Sequence, residues 1–181
     1  MRVGIIGSSQ NNSKTSETYE KAVKEVKQEI DSLNVPYNEI TLVSGGSSWA
    51  DHIAVSLFLL LESQGIKLTL YLPCEMVESS YTTKTYFGRE LNERHRAFSE
   101  ICFSALGESS LKQLSILYKR TPDKNIMIVV DKNGFKSRNS QIANDVDYLI
   151  AVSNTVEVSG GTKDTWNKFN KNGTKKLLHF S

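Results

Sequence analysis

Short apolar runs alternate with amphipathic stretches along this chain, and that alternation constrains its fold more than any other feature. The apolar runs are rich in β-branched residues, which is typical of buried strands. They predict six strands, at residues 2–6, 40–43, 68–72, 126–130, 148–152 and 176–180. Apolar residues spaced three or four apart predict helices at residues 16–33, 48–63, 91–105, 110–119, 138–144 and 162–170, with a loop at 74–86.

Strands that alternate with helices pair in parallel, and right-handed crossovers place the helices on both faces of the sheet. We therefore predict an α/β fold with a Rossmann-like, doubly wound, mostly parallel sheet in a three-layer α/β/α arrangement. The length of 181 residues suits one domain, predicted to span residues 1–181. A helical insertion at about residues 74–124 follows the third strand, and it could be a lid, a dimer surface or an extra helical layer.

The composition excludes several classes of protein. The net charge is +2, which gives no strong electrostatic case for nucleic acid or an anionic membrane as a partner. Two cysteines and three histidines show no disulfide framework or zinc spacing. The apolar stretch at residues 53–61 is shorter than the roughly 20 residues that cross a bilayer, and no signal-peptide pattern begins the chain. We expect a cytoplasmic protein with no metal and no cofactor.

Clusters of glycine, serine and threonine follow three predicted strands, at residues 7–9, 44–48 and 159–162. Ligands of open α/β sheets bind at this edge, near the point where the strand order reverses. Glycine lets the backbone approach an anion, and the N-terminus of the following helix offers unpaired N–H groups. Each cluster alone could be a plain tight turn, whereas the three together predict a nucleotide or phosphate site.

Four elements recur in a defined order: Gly-Ser-Ser at 7–9, Ser-Gly-Gly-Ser-Ser-Trp-Ala-Asp at 44–51, residues 135–139 followed by Asp-Tyr-Leu-Ile-Ala at 147–151, and Gly-Gly-Thr-Lys-Asp-Thr at 160–165. Their order and spacing resemble the SLOG superfamily. That superfamily joins the Lonely-guy hydrolases, often labelled lysine decarboxylases, with the Smf/DNA-processing-A Rossmann domain. The resemblance covers about residues 1–72 and 125–180.

The resemblance implies a SLOG-type Rossmannoid that binds a nucleotide-like small molecule and forms a homodimer or a larger homo-oligomer. It implies that backbone and hydroxyl groups of the three loops contact the ligand, and that Arg138 faces its phosphate or ribose. The implied binding residues are Gly7, Ser8, Ser9, Gly45, Gly46, Ser47, Arg138, Asn139, Gly160, Gly161, Thr162 and Thr165.

Three functions remain open at this stage. The first is a binding or sensing module for a nucleotide or nucleotide-derived molecule. The second is a nucleoside 5′-monophosphate phosphoribohydrolase, which would cleave the N-glycosidic bond. Lonely-guy hydrolases carry a catalytic glutamate where Thr165 stands here, so the neighbouring Asp164 becomes the candidate acid, with Arg138 and either Glu75 or Glu90. The third is single-stranded DNA binding, which the near-neutral charge disfavours.

Other polar and aromatic residues allow two interpretations each. Asp51 is a candidate either for binding ribose or for capping local N–H groups. Trp49 should add bulk near the ligand or remodel the start of its helix. His95 and Cys102 lie on the apolar stripe of their helix and are predicted to be buried, whereas Cys74 follows a strand and could be exposed.

Overall fold

The apolar segment Arg2–Gly7 forms a central strand of a parallel sheet in the computed structural model of the protein. The structure describes residues 1–8, 15–169 and 173–180. Their strands are β1 (Arg2–Gly7), β2 (Thr41–Ser44), β3 (Lys67–Leu72), β4 (Met76–Val77), β5 (Ser80–Tyr81), β6 (Ile126–Val130), β7 (Tyr148–Ser153) and β8 (Thr174–His179). Six of them pair in the order β6-β3-β2-β1-β7-β8, and every pair is parallel, which confirms the predicted sheet.

Helices cover both faces of this sheet. They are α1 (Ser16–Ser32), α2 (His52–Leu61), α3 (Tyr86–Leu106), α4 (Ser110–Arg120), α5 (Phe135–Asp145) and α6 (Gly160–Lys168). The first four pack with one another on one face, and α5 packs against α6 on the other. The predicted three-layer, doubly wound α/β/α arrangement is therefore confirmed.

The central strands β1 and β7 are apolar through their interior because each contributes side chains to two cores. Neighbouring residues of a strand point to opposite faces. In β1, Ile5 belongs to the core under α1 to α4, and Ile6 belongs to the core under α5 and α6. In β7, Ile150 and Ala151 divide between the two cores in the same way. Burial on both faces explains why these strands lack the apolar–polar alternation of a half-exposed sheet.

The insertion after β3 extends the helical layer that α1 and α2 form on one face of the sheet. The predicted loop at 74–86 contains the antiparallel hairpin of β4 and β5, so the loop prediction was incomplete. Helix α3 packs against α1, and α4 packs against α3 and α2. Cys74 is only 3% exposed because this layer covers it, so the expected exposure was wrong. Cys102 and His95 are fully buried, as predicted.

Two helices, α5 and α6, begin earlier than predicted. Helix α5 begins at Phe135 rather than Arg138, and α6 begins at Gly160 rather than Thr162. Glycine disfavours helix, which is why the sequence pattern placed Gly160 in a loop. Tertiary structure overrides this preference. The Lys163 amide donates a 3.1 Å hydrogen bond to the Ser159 carbonyl, which forms the first turn of α6. Within the described ranges, no helix has both the length and the apolar character needed to span a bilayer.

Candidate functional site

A cavity of about 250 Å³ opens at the carboxyl end of the sheet, where β1 lies between β2 and β7. The strand order reverses at this point, and ligands of doubly wound folds bind at such reversals. Nine of the predicted site residues line the cavity: Gly7, Ser8, Ser47, Arg138, Asn139, Gly160, Gly161, Thr162 and Thr165. Three strand-end loops, distant in sequence, therefore converge on one space. Ser9 lies outside the described residues.

The first loop can reach this space because Gly7 carries no side chain. A Cβ atom at this position would lie 2.3 Å from the Val152 carbonyl oxygen and 2.4 Å from the Ala50 Cβ. Both distances are too short for any side chain. The close contact between the ends of β1 and β7 therefore requires glycine here, independently of any ligand.

The predicted site residues Gly45 and Gly46 stand behind the cavity wall and hold the second loop in place. The Gly45 carbonyl accepts a 3.0 Å hydrogen bond from Arg138 Nη1. The Gly46 carbonyl accepts two, from the Tyr81 hydroxyl at 2.6 Å and from His95 Nε2 at 3.0 Å. The insertion thus helps to fix the loop that follows β2, a role that the sequence pattern did not indicate.

Arg138 brings a buried positive charge to the cavity. Its side chain lies in the first turn of α5, and the residue is only 8% exposed. Besides its bond to Gly45, its Nη2 donates to Asn139 Oδ1 at 3.1 Å. Its Nε has no hydrogen-bond partner among the residues that the structure describes. Burial lowers the pKa of Arg138, with the Asp51 carboxylate opposing this effect, but a guanidinium remains protonated at neutral pH.

Asp51 is the one acidic side chain among the described residues that line the cavity. It is 5% exposed, and its Oδ2 accepts a 3.3 Å hydrogen bond from the Ser47 amide. The carboxylate therefore caps the second loop, which was one of the two predicted roles, and it also faces the space where a ligand would lie. Burial raises the pKa of Asp51, although the Arg138 charge and backbone N–H groups of Ser47 and Gly7 oppose the shift.

Arg94 also lines the cavity, and sequence analysis missed it. It comes from α3 in the insertion, and its guanidinium pairs with Glu90 one turn earlier. A Glu–Arg pair four residues apart is the usual pattern of a solvated helix face. The sequence contains one indication that Arg94 is not fully solvated. It directly precedes His95 and so borders the apolar stripe of α3.

The N-terminus of α6 forms the third wall of the cavity. Ser159, Gly160, Gly161 and Thr162 line the cavity there, and no side chain caps the helix at Ser159. The first N–H groups of a helix have no partner within the helix and carry partial positive charge. Asn139 fixes this helix end against α5, because its Nδ2 donates to the Gly161 carbonyl at 3.3 Å.

Asp164 does not belong to the described lining of the cavity. Its Oδ2 accepts hydrogen bonds from Lys168 Nζ at 2.8 Å and from Asn139 Nδ2 at 3.1 Å. Burial opposes its ionisation, but these two bonds outweigh burial and lower the pKa of Asp164. Its role as catalytic acid stays a prediction, and a paired carboxylate outside the cavity does not favour it.

Two further predicted residues also lie elsewhere. Glu75 pairs with Lys132 at 3.0 Å on the surface. Trp49 is buried in the core, where its ring meets that of Tyr19 edge-on at 5.9 Å, so it adds no bulk to the described cavity lining. Within residues 1–8, 15–169 and 173–180, no group of three or more His, Cys, Asp and Glu side chains is placed to hold a metal ion.

The fold and the cavity together define a Rossmann-like α/β protein with a cationic site at the reversal of strand order. No protein-family model matches the chain. Over 140 residues the chain is 41% identical to "Uncharacterized protein R261" of Acanthamoeba polyphaga mimivirus, and the alignment covers 77% of this chain and 71% of the viral protein. The chain belongs to the same family as this protein. The resemblance to the SLOG superfamily stays a prediction.

Proposed function

We propose that the cavity binds the phosphate-bearing part of a nucleotide or nucleotide-derived small molecule, and that the protein is a binding or sensing module. One observation carries this proposal: the uncapped N-terminus of α6 and the buried Arg138 guanidinium face the same cavity. A helix N-terminus and an arginine both favour phosphate, the first through backbone N–H groups and the second through its forked donors.

The remaining donors of the cavity support an oxyanion. Ser47 is only 4% exposed, and its Oγ has no hydrogen-bond partner among the residues that the structure describes. The Arg138 Nε lacks such a partner too. Buried polar groups are nearly always hydrogen-bonded, and leaving one unpaired costs about 1–3 kcal/mol. Both residues line the cavity, so a phosphate bound there is the candidate partner for these two groups.

Isothermal titration calorimetry with matched ligands tests this proposal. The panel contains adenosine, guanosine, cytidine and uridine, each as the nucleoside and as its 5′-monophosphate. For at least one base, we expect the monophosphate to bind at least about tenfold more tightly than the nucleoside, since one charge-assisted hydrogen bond contributes about 1.5–3 kcal/mol. Equal affinity of nucleoside and monophosphate, or no binding of any member, would contradict the proposal.

A second candidate function is hydrolysis of the N-glycosidic bond of a nucleoside 5′-monophosphate, and Asp51 favours it. This carboxyl group lies in the cavity, and burial raises its pKa, which is the environment of a general acid. Under this alternative, Asp51 rather than Asp164 protonates the leaving base. Chromatographic detection of free base after incubation with the monophosphates distinguishes an enzyme from a binding module.

A further inference from the structure

Two arginines from distant parts of the chain face the cavity. Arg94 belongs to the insertion helix α3, and Arg138 belongs to α5. Both guanidinium groups contact the ring of Phe135, with their carbon atoms 5.3 and 5.2 Å from its centroid. The insertion therefore adds a second positive charge to the site that the rest of the fold already forms.

Hydrogen bonds and ring contacts connect the positive groups of the cavity. At the N-terminus of α6, Asn139 Nδ2 donates to the Gly161 carbonyl at 3.3 Å. Asn139 in turn accepts from Arg138 Nη2 at 3.1 Å, and Phe135 joins Arg138 to Arg94. The helix N-terminus, Arg138 and Arg94 therefore contribute to one connected cationic surface of the cavity.

The two guanidinium groups have one acidic neighbour each: Arg94 pairs with Glu90, which lies outside the described lining, and Arg138 interacts with Asp51. The one acidic residue of that lining is Asp51. Arg94 donates to Glu90 through its Nη2. The Nε of Arg94 is buried and has no hydrogen-bond partner within the described ranges. The Nε of Arg138 is in the same situation. Each arginine of the lining thus keeps one N–H donor without a partner, and a guanidinium bonds well to phosphate oxygens.

We propose that the ligand carries a pyrophosphate, with one phosphate at the N-terminus of α6 and Arg138, and the second at Arg94. This inference rests on the proposed function and narrows its ligand class to nucleoside diphosphates and their derivatives. Arg94 then determines specificity, because a monophosphate seated at α6 does not need it.

Calorimetry on the full chain tests the role of Arg94 with the 5′-mono- and diphosphate of the base that binds best. The wild type should bind the diphosphate at least about tenfold more tightly than the monophosphate, since a charge-assisted hydrogen bond contributes about 1.5–3 kcal/mol. Arg94→Gln should weaken diphosphate binding about tenfold more than it weakens monophosphate binding. Arg96→Gln removes the same charge from an exposed position of the same helix and should change neither affinity.

The other results of this experiment would overturn either the pyrophosphate inference or the proposed function. Equal losses of mono- and diphosphate affinity in Arg94→Gln would mean that both arginines clamp a single phosphate, which overturns the pyrophosphate inference and leaves the proposed function standing. A wild type that binds both forms equally would overturn it as well. Failure of every phosphorylated ligand would overturn the proposed function itself. Arg94→Lys keeps the charge, so it separates loss of charge from disturbance of α3, and thermal melting of each variant checks the fold.

Discussion

Arg138 Nη1 donates a 3.0 Å hydrogen bond to the carbonyl oxygen of Gly45, a residue 93 positions earlier in the chain. This bond ties the first turn of α5 to the loop that follows β2. A side chain at position 45 would crowd this bond, because a Cβ there would lie 2.7 Å from the Arg138 Cζ and 2.8 Å from Asp51 Oδ2. The glycine therefore brings the positive and negative side chains of the site together without touching the ligand itself.

Gly45→Ala should lower both stability and ligand affinity. The added methyl group would push against the Arg138 guanidinium and the Asp51 carboxylate, and overpacking of a buried site costs about 1–3 kcal/mol. Urea denaturation measures the change in the free energy of unfolding. Gly161→Ala is the matched control for stability, because the nearest atom to its added Cβ is 3.7 Å away. A Gly45→Ala variant as stable as Gly161→Ala would show that the contact is not tight.

Arg138→Lys should weaken binding of a nucleoside phosphate about tenfold or more, since at least one charge-assisted hydrogen bond is lost. Lysine keeps the charge but has no planar fork, so it cannot bond to the Gly45 carbonyl and to a phosphate in the same geometry. Calorimetry measures the affinity, and circular dichroism checks the fold. If the lysine variant binds as tightly as the wild type, Arg138 does not contact the phosphate.

The sheet was predictable because burial on both faces leaves a clear pattern. The runs that became β1 and β7 are apolar at every interior position, and parallel strands joined by helices allow few topologies. The hairpin of Met76–Val77 and Ser80–Tyr81 was missed because its strands are two residues long. No periodicity can be detected over so short a segment.

The site was predictable where its residues belong to strand-end loops, and not where they come from the insertion. Gly7, Ser47 and Thr162 follow buried strands, so the topology alone brings them to one edge. Arg94 reaches the same cavity because α3 packs against α1 and α4. That placement depends on tertiary packing across the insertion, which local spacing does not encode.

The stability of the protein should fall as the pH drops below about 6.5, the ordinary pKa of histidine. Burial lowers the pKa of His95 to about 3 and that of His52 to about 4. Both side chains are therefore neutral in the folded state, whereas the unfolded chain takes up protons. The resulting stability is complete above pH 6.5 and is lost as the pH falls toward the folded-state values, at up to about 1.4 kcal/mol per pH unit for each group.

Urea denaturation at pH 7 and pH 5 measures this loss. His95→Gln should reduce the difference between the two free energies of unfolding, because one of the two groups no longer titrates. His179→Gln makes the same substitution at an exposed position and is the matched control for stability at pH 7. An equal pH dependence in His95→Gln and the wild type would contradict the assignment of a buried neutral His95.

Asp164→Asn should leave nucleotide affinity within about twofold of the wild type, because its carboxylate pairs with Lys168 outside the described cavity lining. The pair is half-exposed, so its loss should cost no more than about 0.5 kcal/mol of stability.

Asp51→Asn provides the contrast, since it changes the carboxyl group that faces the ligand. If free base is released from a monophosphate, the Asp51 variant should abolish the release and the Asp164 variant should not. The opposite result would restore Asp164 as the acid.

A crystal structure of the full chain soaked with the tightest-binding nucleoside phosphate tests the account most directly. We expect a phosphate within hydrogen-bond distance of the backbone N–H groups at the start of α6 and of the Arg138 guanidinium. A nucleotide bound on another surface while this cavity holds only water would contradict it.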